Sequence, residues 1–302
     1  MSATLSIGIQ TRNRPDALRA CLRSLDRLSS LEPEVFVFDD ASEPPAEVTA
    51  GDVRPGVRFV RGAGGSAVGR NRLVQQASAD FVLLLDDDTL VLDARAVEEA
   101  LAIVTRDPQV GAIAFAQANG DGTPWHAAMQ PSTADEPSLI PAFIGFAHLV
   151  RRSAFLELGG YRELFQYHGE EKELCLRLLD AGYTTVYLPQ ARIAHVTDPQ
   201  SRDLCRYLRL VSRNDCFNSL YNDPLSRMLW MVPARLVLYT RMRRGWKVDD
   251  PGGLPWLIRE VTRHLPEVWA QRRPVSRATL ARWRALQRTR HPYYAPGTEP
   301  RA

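Results

Sequence analysis

Over the first two hundred residues, apolar and polar positions sort into short apolar runs and amphipathic stretches. Leu5-Ser-Ile-Gly-Ile9 reads as a first strand, and Gln10-Thr-Arg-Asn-Arg-Pro15 breaks it before an amphipathic segment from Ala17 to Leu28. There Leu18, Cys21, Leu22 and Leu25 fall at helical spacing, with Pro15 well placed near the helix start. Glu34 to Phe38 reads as a second strand ending in Asp39-Asp40-Ala-Ser42, and Val57 to Val60 as a third. Gly62-Ala-Gly-Gly65 is a flexible turn before a helix from Ala67 to Ala77. The fourth strand, Phe81-Val-Leu-Leu-Leu85, is an unbroken apolar run that ends in Asp86-Asp87-Asp88-Thr89. Such a run predicts a strand covered on both faces.

A helix follows to Arg106, then a strand from Val110 to Phe115. Residues 119–142, rich in Gly, Pro, Asp and Thr, show no clear period and predict a substrate loop or lid. Order returns from Ala147 to Leu158, up to the Gly159-Gly160 break. In His168 to Tyr183 the stripe Leu174, Cys175, Leu178 and Leu179 predicts a helix stopped by Gly182, with Glu170 and Glu171 in its first turn. Thr184 to Leu188 and Arg192 to Val196 read as two short strands, the second carrying His195.

Strands alternating with helices imply an α/β protein with a mainly parallel sheet. In such a sheet the polar clusters Thr11 to Asn13, Asp39 to Ser42 and Asp86 to Thr89 converge on one edge, where ligands of open α/β sheets bind. Three adjacent aspartates repel one another unless a cation or donors offset them. A hard divalent ion, Mn2+ or Mg2+, bridging to phosphate oxygens is the usual partner. A solvated acidic turn is the plainer alternative.

Charge divides the chain. The 302 residues carry a net +3, but residues 1–200 hold 18 Lys and Arg against 27 Asp and Glu, and residues 201–302 hold 20 against 8. Only Lys172 and Lys247 are lysines, so an arginine at any given position says little about selection for its fork geometry. We therefore expect a site-bearing domain over 1–198 and an Arg-rich, mainly helical region over 199–302. Cys21, Cys175, Cys205 and Cys216 lie far apart without metal or redox spacing, which fits reduced thiols in the cytoplasm. No leader opens the chain, and no apolar run nears the roughly 20 residues that span a bilayer.

In order along the chain, Ile9 to Pro15, Val37 to Ser42, Gly65-Ser-Ala-Val-Gly-Arg-Asn71, Leu84 to Asp88, Gly159-Gly-Tyr161, Gly169-Glu-Glu171 and Ala191 to His195 resemble the motifs of the family 2 glycosyltransferases. The resemblance covers about residues 4–196 and implies a Rossmann-like, A-type nucleotide-sugar-binding domain with a mostly parallel central sheet. It also implies roles. Thr11 and Asn13 would line the nucleotide pocket, and Asp39 would accept a hydrogen bond from the base, favouring UDP or dTDP. Asp86 and Asp88 would form an Asp-X-Asp metal site joined by His195, and Glu171 would be the general base. Arg70, Asn71, Asp87 and Glu170, inside the matched motifs, would be further substrate contacts. The implied reaction is inverting, divalent-metal-dependent transfer of a sugar from a nucleoside diphosphate to an acceptor hydroxyl on a saccharide, a lipid-linked saccharide or a small molecule.

Two positions depart from the family. Gln10 stands where Pro is usual, and Glu171 where the base is usually Asp. A base one methylene longer implies a shifted or different acceptor, or a protein that binds nucleotide sugars without catalysis. A glutamate pair in the first turn also stabilises a helix through its dipole. Trp125 reads as an acceptor contact or a loop anchor, and Arg213-Asn214 resembles an Arg-Asn pair near the acceptor or diphosphate. Residues 225–246 mix apolar bulk, Arg and two Trp, which suits a helix on an anionic membrane surface, on the domain, or on a second subunit. No recognition motif accompanies the basic charge, so nucleic acid is not an expected partner.

Overall fold

The computed structural model describes residues 5–196 and 203–298. The first apolar runs form β1 (Leu5–Thr11), β2 (Glu34–Asp40), β3 (Arg58–Gly62) and β4 (Phe81–Asp86), with α1 (Pro15–Ser24), α2 (Ala46–Ala50) and α3 (Ser66–Gln76) between them. Then come β5 (Thr89–Val91), α4 (Ala94–Arg106), β6 (Val110–Ala118), β7 (Ser138–Leu139) and β8 (Ala147–Arg151). The domain continues with α5 (Arg152–Glu157), α6 (Glu170–Asp180) and β9 (Thr184–His195). The basic region supplies α7 (Leu204–Asn222), α8 (Leu225–Gly245), α9 (Gly253–Ala270), α10 (Arg277–Arg288) and β10 (His291–Pro292).

Among the described residues the strands form one sheet in the order β10-β7-β9-β6-β8-β4-β1-β2-β3, with β5 paired to β9. β1 is parallel to both β2 and β4, β2 to β3, and β6 to β9. β8 runs antiparallel between β4 and β6, so the sheet is mixed with a parallel centre. The chain steps from β1 outward to β2 and β3, then returns to β4 on the other side of β1. Strand order therefore reverses between β1 and β4, the place where loops diverge and leave a crevice.

Alternation along the strands assigns the two faces. Ile7, Ile9, Val35, Val37, Leu83 and Leu85 face one side and pack under α1 and α4. Phe36, Phe38, Val82 and Leu84 face the other, under α3, α5 and α6. Both sets are almost wholly removed from water, which is why these strands read as continuous apolar runs.

The two short strands expected after Gly182 are one, β9, whose pairing with β6 shifts register between Phe115 and Ala116 and absorbs Pro189, Gln190 and Ala191. The expected boundary at 198–199 lies outside the described residues. Beyond it, α7, α8 and α9 share a third apolar cluster centred on Phe217, Tyr221, Tyr239 and Leu257. The chain then returns: Val275, Leu280 and Trp283 join the cluster beneath α6, and β10 pairs with β7. None of the described helices is long and apolar enough to cross a membrane.

Candidate active site

The parallel register sets the three polar strand ends side by side, with Gln10 opposite Asp86 and Thr11 opposite Asp39. Asp87 turns inward from this edge. Its carboxylate accepts from Thr11 Oγ1 at 2.7 Å and from Arg14 at 2.9 Å, and burial pushes its pKa up to about 6 against those two partners. Asp86 and Asp88 remain for the cleft. Asp88 Oδ2 accepts from Arg14 at 2.9 Å, whereas its buried Oδ1 has no hydrogen-bond partner. Burial alone would raise Asp88, but His195 and Arg14 outweigh it and hold the group below the usual range.

Pairing of β5 with β9 puts His195 opposite Thr89, so a residue far along the chain arrives beside Asp88. Its Nε2 lies 3.5 Å from Asp88 Oδ1, and its Nδ1 lies 2.7 Å from Gln117 Oε1. An amide oxygen only accepts, so this contact assigns a proton to Nδ1 and turns Nε2 toward the carboxylates. The ring stacks with Trp125 and Phe146 at centroid distances of 5.1 and 5.0 Å. One ligand atom each from Asp86, Asp88 and His195 falls within 4.8 Å of the others. Two carboxylates and an imidazole oriented through its second nitrogen match a divalent-metal donor set, and the orphaned Asp88 oxygen is the atom such an ion would satisfy.

On the β2 side, Asp39 accepts from the Ser42 and Ala46 backbone N–H groups at 2.8 and 2.9 Å. Burial opposes its charge, but these bonds outweigh it and keep the pKa low. Asn13, left-handed at φ 54°, donates its backbone N–H to Ser42 Oγ and accepts from the Glu43 N–H. It thereby ties the loop after β1 to the loop after β2.

Arg70, buried on α3, joins the metal side to the glutamate side. It donates to Asp86 at 2.9 Å and to the Gly145 carbonyl at 2.8 Å, and lies 3.3 Å from Glu170 and 3.4 Å from Glu171. Glu170 is only 1% exposed and its Oε2 has no partner, so burial, reinforced by the adjacent Glu171 charge, raises its pKa to about 8. Both causes favour the protonated form of Glu170. Glu171 is partly open to the cleft, and burial raises it too, against the pull of Arg70. Gly145 makes room for its longer side chain: a Cβ there would lie 2.1 Å from Glu171 Oε1.

Four expected substrate contacts are engaged within the protein itself. Asp87 and Glu170 point away from the cleft into the contacts above. Asn71 clasps the Tyr161 backbone, donating to its carbonyl and accepting from its N–H, both at 2.8 Å, so both ends of its amide are engaged. Arg213, buried, donates to the Leu164 and Phe165 carbonyls and to Asn214 Oδ1. Asn214 in turn donates to the carbonyls of Phe165, Tyr167 and His168, so this pair shapes the loop entering α6. Trp125 lies against His195.

Gln117, Gly145, Phe146 and Arg14 also build the site, and the residue pattern did not point to them. Gln117 carried a faint signal, being the one strongly polar residue in Val110–Ala118. Arg14 lay inside the matched stretch Ile9 to Pro15 without a role assigned to it, and Gly145 and Phe146 carried no signal.

The profile described as "Glycosyl transferase family 2" matches residues 6–159. A pre-mycofactocin glycosyltransferase of Mycobacterium tuberculosis is 28% identical over 214 residues, covering 66% of this chain and 44% of that protein. An N-acetylglucosaminyltransferase of Rhizobium meliloti is 28% identical over 244 residues, covering 71% and 56%. The chain thus spans about half the length of these curated relatives. Among solved structures, the mannosyltransferase PcManGT of Pyrobaculum calidifontis, in complex with GDP-Man and Mn2+, superposes with a TM-score of 0.57 at 15% identity, covering 94% of this chain and 87% of that one. GalNAc-T7 with UDP, GalNAc and Mn2+ gives 0.60 at 17% identity, covering 88% and 57%. At these identities the likeness is one of fold, the A-type glycosyltransferase fold. Because the profile covers half the chain, including the β1, β2 and β4 ends, this protein belongs to glycosyl transferase family 2.

Proposed function

We propose that this chain is an inverting glycosyltransferase that moves a sugar from a nucleoside diphosphate to an acceptor hydroxyl and depends on a divalent metal. The observation that carries the reading is Arg70, which touches Asp86 and Glu171 at once and so sets a metal-binding edge and a candidate base within one guanidinium. Glu171 would take the acceptor proton as the acceptor oxygen bonds to the anomeric carbon and the bond from that carbon to the diphosphate oxygen breaks. A raised pKa suits a base working near neutral pH. Glu170, protonated behind it, leaves Arg70 to orient Glu171 and Asp86.

Asp86, Asp88 and His195 would hold the ion, which supplies positive charge to the diphosphate leaving group. The imidazole nitrogen favours Mn2+ over Mg2+, which prefers an all-oxygen shell. Asp39 keeps lone pairs beyond its two backbone donors and would accept from an imide N–H, favouring UDP or dTDP. We assign donor binding to the sheet domain and acceptor contacts to its junction with α7.

A thermal-shift panel of UDP, dTDP, GDP and CDP, with and without Mn2+ or Mg2+, tests this reading. A nucleotide at about 100 times its dissociation constant stabilises the native state by about 2.7 kcal/mol. We expect a metal-dependent shift with UDP or dTDP. A panel with no shift under any condition overturns the donor site.

A further inference from the structure

α8 presents an apolar face that nothing among the described residues covers. Along this helix Leu229, Trp230, Pro233, Ala234, Val237 and Leu238 recur at helical spacing and are all exposed, Trp230 at 79% and Leu229 at 67%. Of the helix's side chains only Tyr239 is buried. Beside the stripe, α8 and α9 form an open groove of about 840 Å³ lined by Leu229, Pro233, Leu265 and Trp269. An exposed apolar surface of this kind marks a contact site.

The charges around it select the occupant. Residues 224–248 contain six basic residues and no acidic one. The inward-facing ones are engaged: Arg227 with Asp223, Arg235 with Asp215, and Arg243 with the Asp250 carbonyl. Arg241, Arg244 and Lys247, where the stripe ends, are exposed and have no ion partner among the described residues. A second copy of α8 would bring no carboxylate to these cations. An anionic bilayer complements both features, headgroups meeting the cations and acyl chains meeting the stripe, with Trp230 and Trp246 suited to the interface.

We propose that the α8 face, flanked by the α8–α9 groove, docks this protein on the surface of an anionic lipid bilayer. The face is continuous with the catalytic helix. Asp215 receives Arg235 of α8 at 3.3 Å and Lys172, next to Glu171, at 2.9 Å. Trp246 stacks on Tyr207 with centroids 6.1 Å apart, and Tyr207 meets His168 edge-on at 4.6 Å, just ahead of α6. Docking here would hold the acceptor side of the cleft near the membrane.

Co-sedimentation of the full chain with phosphatidylcholine vesicles, with and without ~30 mol % phosphatidylglycerol, tests the proposal. We expect binding to the anionic vesicles at low salt and release at about 0.5 M NaCl. Arg241→Glu with Arg244→Glu should weaken binding at least ~20-fold, since each basic residue near the surface contributes about fivefold. Leu229→Ala with Trp230→Ala should weaken it about tenfold or more. Both variants should keep the parent's melting temperature and its nucleotide shift, so failure of this idea is separable from failure of the donor site. No binding at low salt overturns the proposal, as does binding that neither variant weakens. Light scattering that shows a dimer lost on Trp230→Ala, without vesicle binding, overturns it in favour of a second copy.

Discussion

The carboxylate cleft and the α8 face use the same materials, arginine beside apolar side chains, in opposite ways. Arg70 is 4% exposed and its guanidinium is divided among Asp86, Glu170, Glu171 and the Gly145 carbonyl. Arg241 and Arg244 stand in water beside an uncovered stripe. A buried guanidinium must have its donors satisfied, so it fixes geometry, and a displacement of a few tenths of an ångström matters. An exposed one acts through its field, is screened by salt, and tolerates imprecise placement. Changes in the cleft should therefore appear in turnover, metal affinity and pH dependence, and changes on α8 in none of these.

The largest effect is expected at Glu171, the proposed base. Glu171→Gln should lower turnover by about 10²- to 10⁴-fold while leaving the nucleotide-induced thermal shift in place. Undiminished turnover would remove Glu171 from the mechanism and leave a nucleotide-sugar-binding protein as the better reading. Next is Gly145→Ala, whose new methyl would press on the Glu171 carboxylate and should cost about 100-fold in kcat. Shortening the base in the same chain, Glu171→Asp, should relieve part of that loss; if the double variant is no better than Gly145→Ala, crowding at Glu171 is not the cause.

Smaller effects sharpen the contrast further. Gln117→Leu removes the acceptor that orients His195 and should weaken Mn2+ binding about 10- to 100-fold, read from the paramagnetic resonance signal of free Mn2+. The smallest concerns Glu170, raised from 4.5 to about 8 on folding. The folded state binds the extra proton between these values, so this group's stabilising contribution is complete below pH 4.5 and fades as pH rises through 8. Glu170→Gln imitates the protonated form. Its melting temperature should fall less than the parent's between pH 5 and pH 8, as the shift to about 8 requires, so that it overtakes the parent on the alkaline side. Parallel pH profiles would show that Glu170 is already ionised in the native state.

Much of this molecule is written in short-range pattern. The apolar runs at 5–9, 34–38 and 81–85, the stripe of α6 and the polar clusters at three strand ends are local facts, and they suffice for a parallel-centred α/β sheet with a cleft at one edge. Tertiary structure decided where each of the neighbouring carboxylates turns. The family resemblance pairs Asp86 with Asp88 and singles out Glu171, but residue pattern alone does not separate them, and only the fold turns Asp87 inward to Thr11 and Arg14. Likewise only the fold sets Glu170 deeper behind Arg70 than Glu171. Gln117, Gly145 and Phe146 became visible when β6 and the approach to β8 were laid beside β9 and α6. The reason is physical: periodicity encodes the burial of apolar area, which is large and additive along a strand, whereas the orientation of a single polar group depends on partners that only long-range pairing brings within hydrogen-bond distance.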